Sequence, residues 1–359
     1  MYAPHYPAPP RALTTQQLQR RAGKFRKMKS LTGVARLLGT TELYLQVMVA
    51  AGTYQKFSIA KPGGGRRKIE NPNDELKKLQ KRIAFYLQAI YTQRKPACSY
   101  GFVLTTTDDA DRRNIYTNAL QHVGARHLLN VDLKDFFHSI TFDQVRRFFR
   151  RAPFLFSPAA ARCLAGLCTY RGRLPMGAPT SPVLSNLLFI PTDEALSKLA
   201  ATYGWTYTRY VDDMTFSGKR KFKRHQLAAL RETLQGAGFQ VNEKKWKKQQ
   251  RKKGKYPEVT GLILKGKKPD LKREYLHQLN QDIEVYRYLT SPAMAARKLV
   301  KAEAITRLRR SIVGQINFVG FIKGDHHKLY HHLRSRMHLS NRLRPKASKP
   351  VTRFGENSL

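Results

Sequence analysis

Asp132, in the segment NVDLKDFF, and the adjacent pair Asp212 and Asp213, in RYVDDMTFSG, are the residues whose types and spacing point most directly to chemistry. They stand in a chain with 67 Lys and Arg against 24 Asp and Glu, a formal net charge of +43. So basic a chain has little reason to gather acids unless a cation binds between them. Carboxylate oxygens suit Mg2+, with phosphates and water completing its octahedral shell. Two such ions can serve the attacking and the leaving oxygen when a nucleotide is transferred to a 3′ hydroxyl. The candidate is a pair of magnesium ions handling a nucleoside triphosphate on a nucleic-acid scaffold. An Asp-Asp pair is also common turn chemistry, and an Asp can cap a helix. The pair alone leaves both readings open.

The acids need elements that bring them together. From His127 to Leu133 the residues alternate, with Leu129, Val131 and Leu133 on one face, so Asp132 ends a strand on the other. Tyr207 to Phe216 reads as a hairpin with both aspartates at its tip. Neighbours in a regular strand point to opposite faces, and only a turn lets Asp212 and Asp213 converge. Upstream, residues 30–51 predict two short helices broken near Gly39, and 54–69 a hairpin around KPGGGRR. Asn73 or Asp74 caps a helix carrying Leu76, Leu79, Ile83, Leu87 and Ile90. Thr141-Phe-Asp-Gln144 is a capping box. Ser157-Pro158 and Ser181-Pro182 each place a cap before a proline, and the second helix should kink or break at Pro191. A helix from Gln226 to Gly236 precedes KKWKKQQRKKGK, read as a basic loop. The remainder, from about Asp270, is helical and basic.

With 359 residues and 41% hydrophobic content, the chain can bury a sizeable core. No apolar run nears the roughly 20 residues that span a bilayer. The opening residues lack the apolar core of a secretory signal, so a cytoplasmic location is expected. The basic excess runs the whole length, which makes nucleic acid the default partner. A membrane surface is the rival partner, but no long amphipathic helix with aromatic anchors is evident. Cys98, Cys163 and Cys168 form no C-x-x-C pair and fit unpaired thiols in a reducing compartment.

Four blocks in order resemble reverse transcriptases: NVDLKDFFHSI, LPMGAPTSPVLSN, RYVDDMTFSG with its Y-x-D-D signature, and GFQVNEKKW. Together they cover roughly residues 30–265, and four ordered matches are far more specific than one. Two further elements are similar to the retron branch. Asn118, Ala119 and His122 match N-A-x-x-H, and Val259, Thr260 and Gly261 match V-T-G. The chain is identified as resembling a retron-type bacterial reverse transcriptase, an RNA-directed DNA polymerase.

That resemblance implies an α+β right-hand polymerase fold: fingers, a palm built as an antiparallel sheet with helices, and a small helical thumb. The implied division is a basic arm over 1–29, mobile or loosely docked, fingers and their junction over 30–125, palm over 126–265, and thumb over 266–359. It implies that Asp132, Asp212 and Asp213 hold two Mg2+ ions, with the Leu133 carbonyl as an added ligand; Mn2+ is not distinguished. Phe137 takes the place of the aromatic gate that lies against C2′ of the incoming dNTP. Arg67 matches the arginine that holds the triphosphate, with Lys61 a weaker candidate and a one-residue slip to Arg66 or Lys68 left open. Gly177 to Pro182 lines the nucleotide pocket, and Lys245 matches a lysine that neutralises or protonates the leaving pyrophosphate.

The chain departs from the family pattern at three places. Met176 stands where Gln is common, Val211 where retron enzymes more usually have alanine, and Trp246 where Thr is typical. Trp246 reads either as core or as a base-stacking ring.

Thumb and RNA reader are the implied roles of the last third. Arg307, Arg309, Arg310 and Lys323 there interleave with Lys328, Tyr330, Arg334 and Arg336 at helical spacing, which suits structured RNA. His326, His327, His331 and His332 are expected to meet phosphate rather than zinc, having only Asp325 nearby.

The implied function is synthesis of a branched RNA–DNA hybrid (msDNA). A structured noncoding RNA of the msr-msd type would be copied in part, primed from its own 2′ hydroxyl, within an anti-phage defence system. A separate effector protein and a host RNase H are implied partners, since no effector or RNase H block is seen. The alternatives are another prokaryotic reverse transcriptase, intron-derived or of the abortive-infection type, and a non-catalytic RNA-binding scaffold.

Overall fold

A computed structural model describes residues 13–60, 64–108, 110–242, 245–297 and 301–338. The chain divides into two compact units, with the boundary between Pro269 and Asp270.

The first unit opens with helices α1 (Thr15–Lys27), α2 (Leu31–Leu37) and α3 (Glu42–Ala51), followed by strands β1 (Tyr54–Ala60) and β2 (Arg66–Pro72). Next come α4 (Asp74–Arg94), α5 (Ile115–Leu120), β3 (His127–Asp132), α6 (Phe142–Arg150), α7 (Pro158–Cys168) and α8 (Ser181–Thr202). β4 (Thr206–Tyr210), β5 (Asp213–Gly218), α9 (Arg224–Gly236), β6 (Lys247–Gln250), β7 (Glu258–Val259) and β8 (Leu262–Ile263) complete it. The second unit is helical: α10 (Arg273–Leu289), α11 (Pro292–Arg297), α12 (Ala302–Lys323) and α13 (Lys328–Arg336). The expected α+β class is observed.

The sheet that positions the acids has strand order β4-β5-β3-β6, antiparallel throughout. Leu128, Leu129 and Val131 of β3 and Met214 and Phe216 of β5 are buried. Each such side chain contributes about 1.5–3 kcal/mol by leaving water. α8 runs beside β4 with residues buried all round it, among them Leu184, Leu187, Phe189 and Ile190. A separate antiparallel hairpin, β1 with β2, pairs Tyr54 with Pro72 and Ala60 with Arg66.

Four expectations are corrected. Residues 15–27 are not a loose arm: α1 buries Leu18, Ala22 and Phe25, and Phe25 stacks on Tyr86 of α4 at 5.6 Å. Its arginine-rich outer face hid that stripe. Ser181 does not cap α8; Thr180 holds that position, and the Ser181 hydroxyl instead donates to the Pro175 carbonyl at 2.7 Å. Of the kink or break expected at Pro191 the break is absent: α8 is continuous there, with Phe189, Ile190, Thr192 and Asp193 buried around it. Finally, the basic loop contains β6, which pairs with β3 from His127↔Gln250 to Asn130↔Lys247. Its Lys and Gln residues carry no apolar alternation, as suits a sheet edge kept soluble by charge.

Candidate active site

β3 ends on Asp132, and the antiparallel register sets Asp132 directly opposite Asp213, the first residue of β5. Directly opposed residues hold their Cβ atoms about 4.5–5.5 Å apart. β4 ends at Tyr210, itself paired with Asp213, so Val211 and Asp212 alone make the tip of the hairpin. Val211 has φ +63°. The hairpin thus brings two consecutive acids to the end of β3, but only Asp212 lies in the tip; Asp213, expected there as well, is already paired in β5.

The acids feel one another. Burial, then the charges of Asp212 and Asp132, push the Asp213 carboxyl up to about 6, although part of its surface stays open. Burial first and Asp132 after it also raise Asp212, against the opposing pull of Arg67 and Lys245. Lys245 Nζ lies 3.0 Å from Asp132 Oδ2. Among the described residues no three acid, His or Cys groups are already gathered as a metal cluster. The residues nonetheless suit a divalent cation: the Asp132 charge helps raise the proton affinity of Asp212 and Asp213, and an ammonium already rests on Asp132. The Leu133 carbonyl stays outside the bridge that binds this segment to Val241, which uses the Asp132 carbonyl and the Lys134 N–H.

Arg67, exposed on the β2 side of the β1–β2 hairpin, has a charge that lowers both Asp212 and Asp213, against the burial that raises them; Arg66 and Lys68 are its exposed neighbours. Lys61 lies outside the described residues. Phe137 is half-buried, its ring 5.5 Å from that of Phe136. Met176 sits in the turn before α8, and its carbonyl accepts from the Glu70 N–H at 2.7 Å. Gly177, at φ +129°, lies so close to β2 that a Cβ would fall 2.9 Å from Ile69 Cγ2 and 3.0 Å from the Glu70 carbonyl oxygen.

Sequence reasoning missed Glu70. It is buried, with His138 Nε2 3.1 Å from Oε2 and Arg173 3.7 Å from Oε1. It thereby ties the strand of Arg67 to the residue after Phe137. The available signal was an acid closing the basic run RRKIE. Trp246 is half-buried against the core, with Arg231 6.0 Å over its ring.

The two retron-like elements meet. Asn118, Ala119 and His122 are all buried, on or just after α5. His122 bonds Ser217 Oγ through Nδ1 and Thr208 Oγ1 through Nε2, both at 2.7 Å, and burial pushes its pKa down to about 3. Val259 ends β7, Thr260 and Gly261 turn with φ +47° and +87°, and the Thr260 hydroxyl donates to the Ile115 carbonyl at 3.2 Å.

In the second unit the basic residues divide. Arg307, Arg309, Arg310 and Lys328 are exposed. Lys323 pairs with Asp270 at 2.6 Å, and Arg336 with Glu284 at 2.5 Å. Tyr330 is buried, which corrects the expectation of a stacking ring. A Cβ on Gly320 would lie 2.6 Å from it, so the glycine lets α12 and α13 close over the tyrosine. Arg334 packs over that same ring at 5.4 Å. Arg309 and Arg336 help line a cavity of about 390 Å³ with Tyr286 and Arg287. His327 caps α13, accepting from the Leu329 N–H at 3.1 Å. No helix among the described residues is long and apolar enough to cross a membrane.

Comparison with known proteins identifies the family. The family described as reverse transcriptase (RNA-dependent DNA polymerase) matches residues 59–261, more than half of the chain. The chain is similar to the retron Mx65 reverse transcriptase of Myxococcus xanthus, 34% identical over 72% of this chain and 64% of that protein. It is 32% identical to the retron Mx162 reverse transcriptase of the same organism, over 68% of this chain and 55% of that one. For the retron Ec86 reverse transcriptase of Escherichia coli the figures are 31%, 67% and 72%. The chain thus spans less than two thirds of the length of the two Myxococcus relatives.

Proposed function

Because the chain belongs to the reverse transcriptase family, in its retron branch, we propose that it copies part of a cognate structured noncoding RNA into single-stranded DNA. Synthesis starts from a 2′ hydroxyl of that RNA and leaves a branched RNA–DNA hybrid. The observation that carries this reading is the register of Asp132 against Asp213, with Asp212 at the adjoining tip and Arg67 and Lys245 bearing on the same acids.

Asp132, Asp212 and Asp213 would hold two divalent ions, Mg2+ in the first place, which supply activation of the attacking hydroxyl and neutralisation of the triphosphate. Arg67 offers a planar fork to phosphate oxygens. Phe137 lies against C2′ of the sugar and excludes a ribose hydroxyl. Lys245 leaves Asp132 and meets the charge that develops on pyrophosphate. The exposed Arg307, Arg309, Arg310 and Lys328 hold RNA phosphates.

On this reading the polymerase works in the bacterial cytoplasm, with a host RNase H trimming template and a separate effector protein completing an anti-phage system. The test is cellular. The chain is expressed with the DNA flanking its gene, and small nucleic acids are treated with RNase and a debranching enzyme. A discrete short DNA released by debranching, and absent with Asp212→Asn and Asp213→Asn together, is expected. Incorporation on a generic primed RNA without any branched product would instead indicate another kind of reverse transcriptase.

A further inference from the structure

Beneath the hairpin tip lies a buried polar network that the chemistry above does not use. Arg209, on β4, is fully buried. Its Nε donates to Asp193 Oδ1 at 2.9 Å and its Nη2 to Oδ2 at 2.6 Å. Its Nη1 donates to Asn186 Oδ1 at 2.8 Å and to the Val211 carbonyl at 2.9 Å. The Tyr207 hydroxyl adds a bond to Asp193 at 2.8 Å. Asn186 in turn donates to the Gly101 carbonyl at 2.9 Å. Gly101 presses on the same turn: a Cβ there would fall 2.6 Å from the Val211 nitrogen.

A wholly buried ion pair is a poor source of stability, because removing both charges from water offsets their attraction. Apolar side chains could fill the same volume. What the pair supplies is direction, since its donors and acceptors sit at fixed points. One of those points is the carbonyl of Val211, the residue before Asp212. Val211 holds φ +63°, which a β-branched residue adopts only under strain. Something must hold it there, and Arg209 and Gly101 are the groups that grip it.

We propose that Arg209, with Asp193 and Asn186, is a positioning device that holds the strained Val211 turn and so presets Asp212 and Asp213 for metal binding before any ligand arrives. The inference rests on the metal-dependent reaction proposed above, and it concerns how the acids are held rather than what they do.

The test compares three full-length proteins: wild type, Asn186→Ala, and Asn186→Ala combined with Val211→Gly. Mn2+ affinity is measured by electron paramagnetic resonance without nucleotide or RNA, beside a thermal unfolding curve. Asn186→Ala is expected to unfold cooperatively yet bind Mn2+ at least about 10-fold more weakly. The added Val211→Gly is expected to restore much of that loss, because glycine takes the left-handed conformation freely. A folded Asn186→Ala that binds Mn2+ like wild type overturns the proposal, as does a loss that the glycine leaves untouched. Should Asn186→Ala fail to fold, amide exchange in the wild type decides. The segment 210–214 is expected to be protected as well as the rest of β5 with no metal present, and exchange at the rate of an open loop overturns the proposal. A wild type that binds no Mn2+ counts against the proposed function instead, and the scaffold is then judged on the exchange result.

Discussion

Lys245 Nζ lies 3.0 Å from Asp132 Oδ2, so a lysine rests on a carboxylate 113 residues earlier in the chain. The lysine side chain is 56% exposed, and an ion pair this open contributes no more than about 1 kcal/mol. It is therefore a contact that a divalent cation can displace.

Lys245→Ala is expected to have two effects of opposite sense. Nucleotide incorporation in a single turnover falls by roughly 100-fold, because no ammonium meets the leaving pyrophosphate. At the same time Mn2+ binds the free protein more tightly, because a competing cation is gone. A weaker Mn2+ affinity in this variant would contradict the displacement.

Phe137 is half-buried against Phe136, so its ring is fixed on one side and open on the other. Phe137→Val is expected to narrow the preference for dNTP over rNTP, measured as a ratio of kcat/KM values, by roughly 100-fold. Unchanged discrimination would show that the ring does not face the sugar.

His122 supplies a pH prediction. Burial pushes its pKa down to about 3 from the 6.5 of a free imidazole, so the folded state keeps it neutral. Between those values the unfolded chain binds more protons than the native one. The stability contribution is thus complete above about pH 6.5 and is lost on acidification toward pH 3, by up to about 1.4 kcal/mol per pH unit. Urea unfolding from pH 7 to 4 checks this, and His122→Gln should flatten the slope.

The second unit separates charge from packing. Arg307→Gln, Arg309→Gln and Arg310→Gln together should weaken RNA binding and reduce its log–log salt slope by up to about 2 to 3. Gly320→Ala should instead destabilise this unit by about 1–3 kcal/mol, as the Tyr330 ring is forced aside, with the salt slope unchanged.

The sequence made the two parts of the carboxylate site legible because each is local: a strand ending at Asp132 and a turn beside Asp212 follow from alternation and from the pleat, whereas the register of Asp132 against Asp213 joins distant strands. The early hairpin and the α4 cap were legible for the same reason. What escaped was set by contacts between distant segments. Glu70 reads as one acid in a basic run until His138 and Arg173 close on it. Arg209 reads as a surface charge until Asp193 and Asn186 surround it. β6 has no apolar pattern, and only the edge of β3 makes it a strand. Tyr330 looked like a free ring because a glycine one helix away gives no sign in sequence that it admits one.

Asp132, Asp212 and Asp213 are expected to catalyse RNA-directed DNA synthesis. The most direct measurement is extension of a primer on an RNA template by the purified full chain, with dNTPs and Mg2+, for wild type beside Asp213→Asn. Wild type is expected to extend, and the variant to lose at least about 1,000-fold in rate while unfolding at a similar temperature, since one of the three carboxylates that would hold the ions is gone. Extension by Asp213→Asn at the wild-type rate would contradict the account.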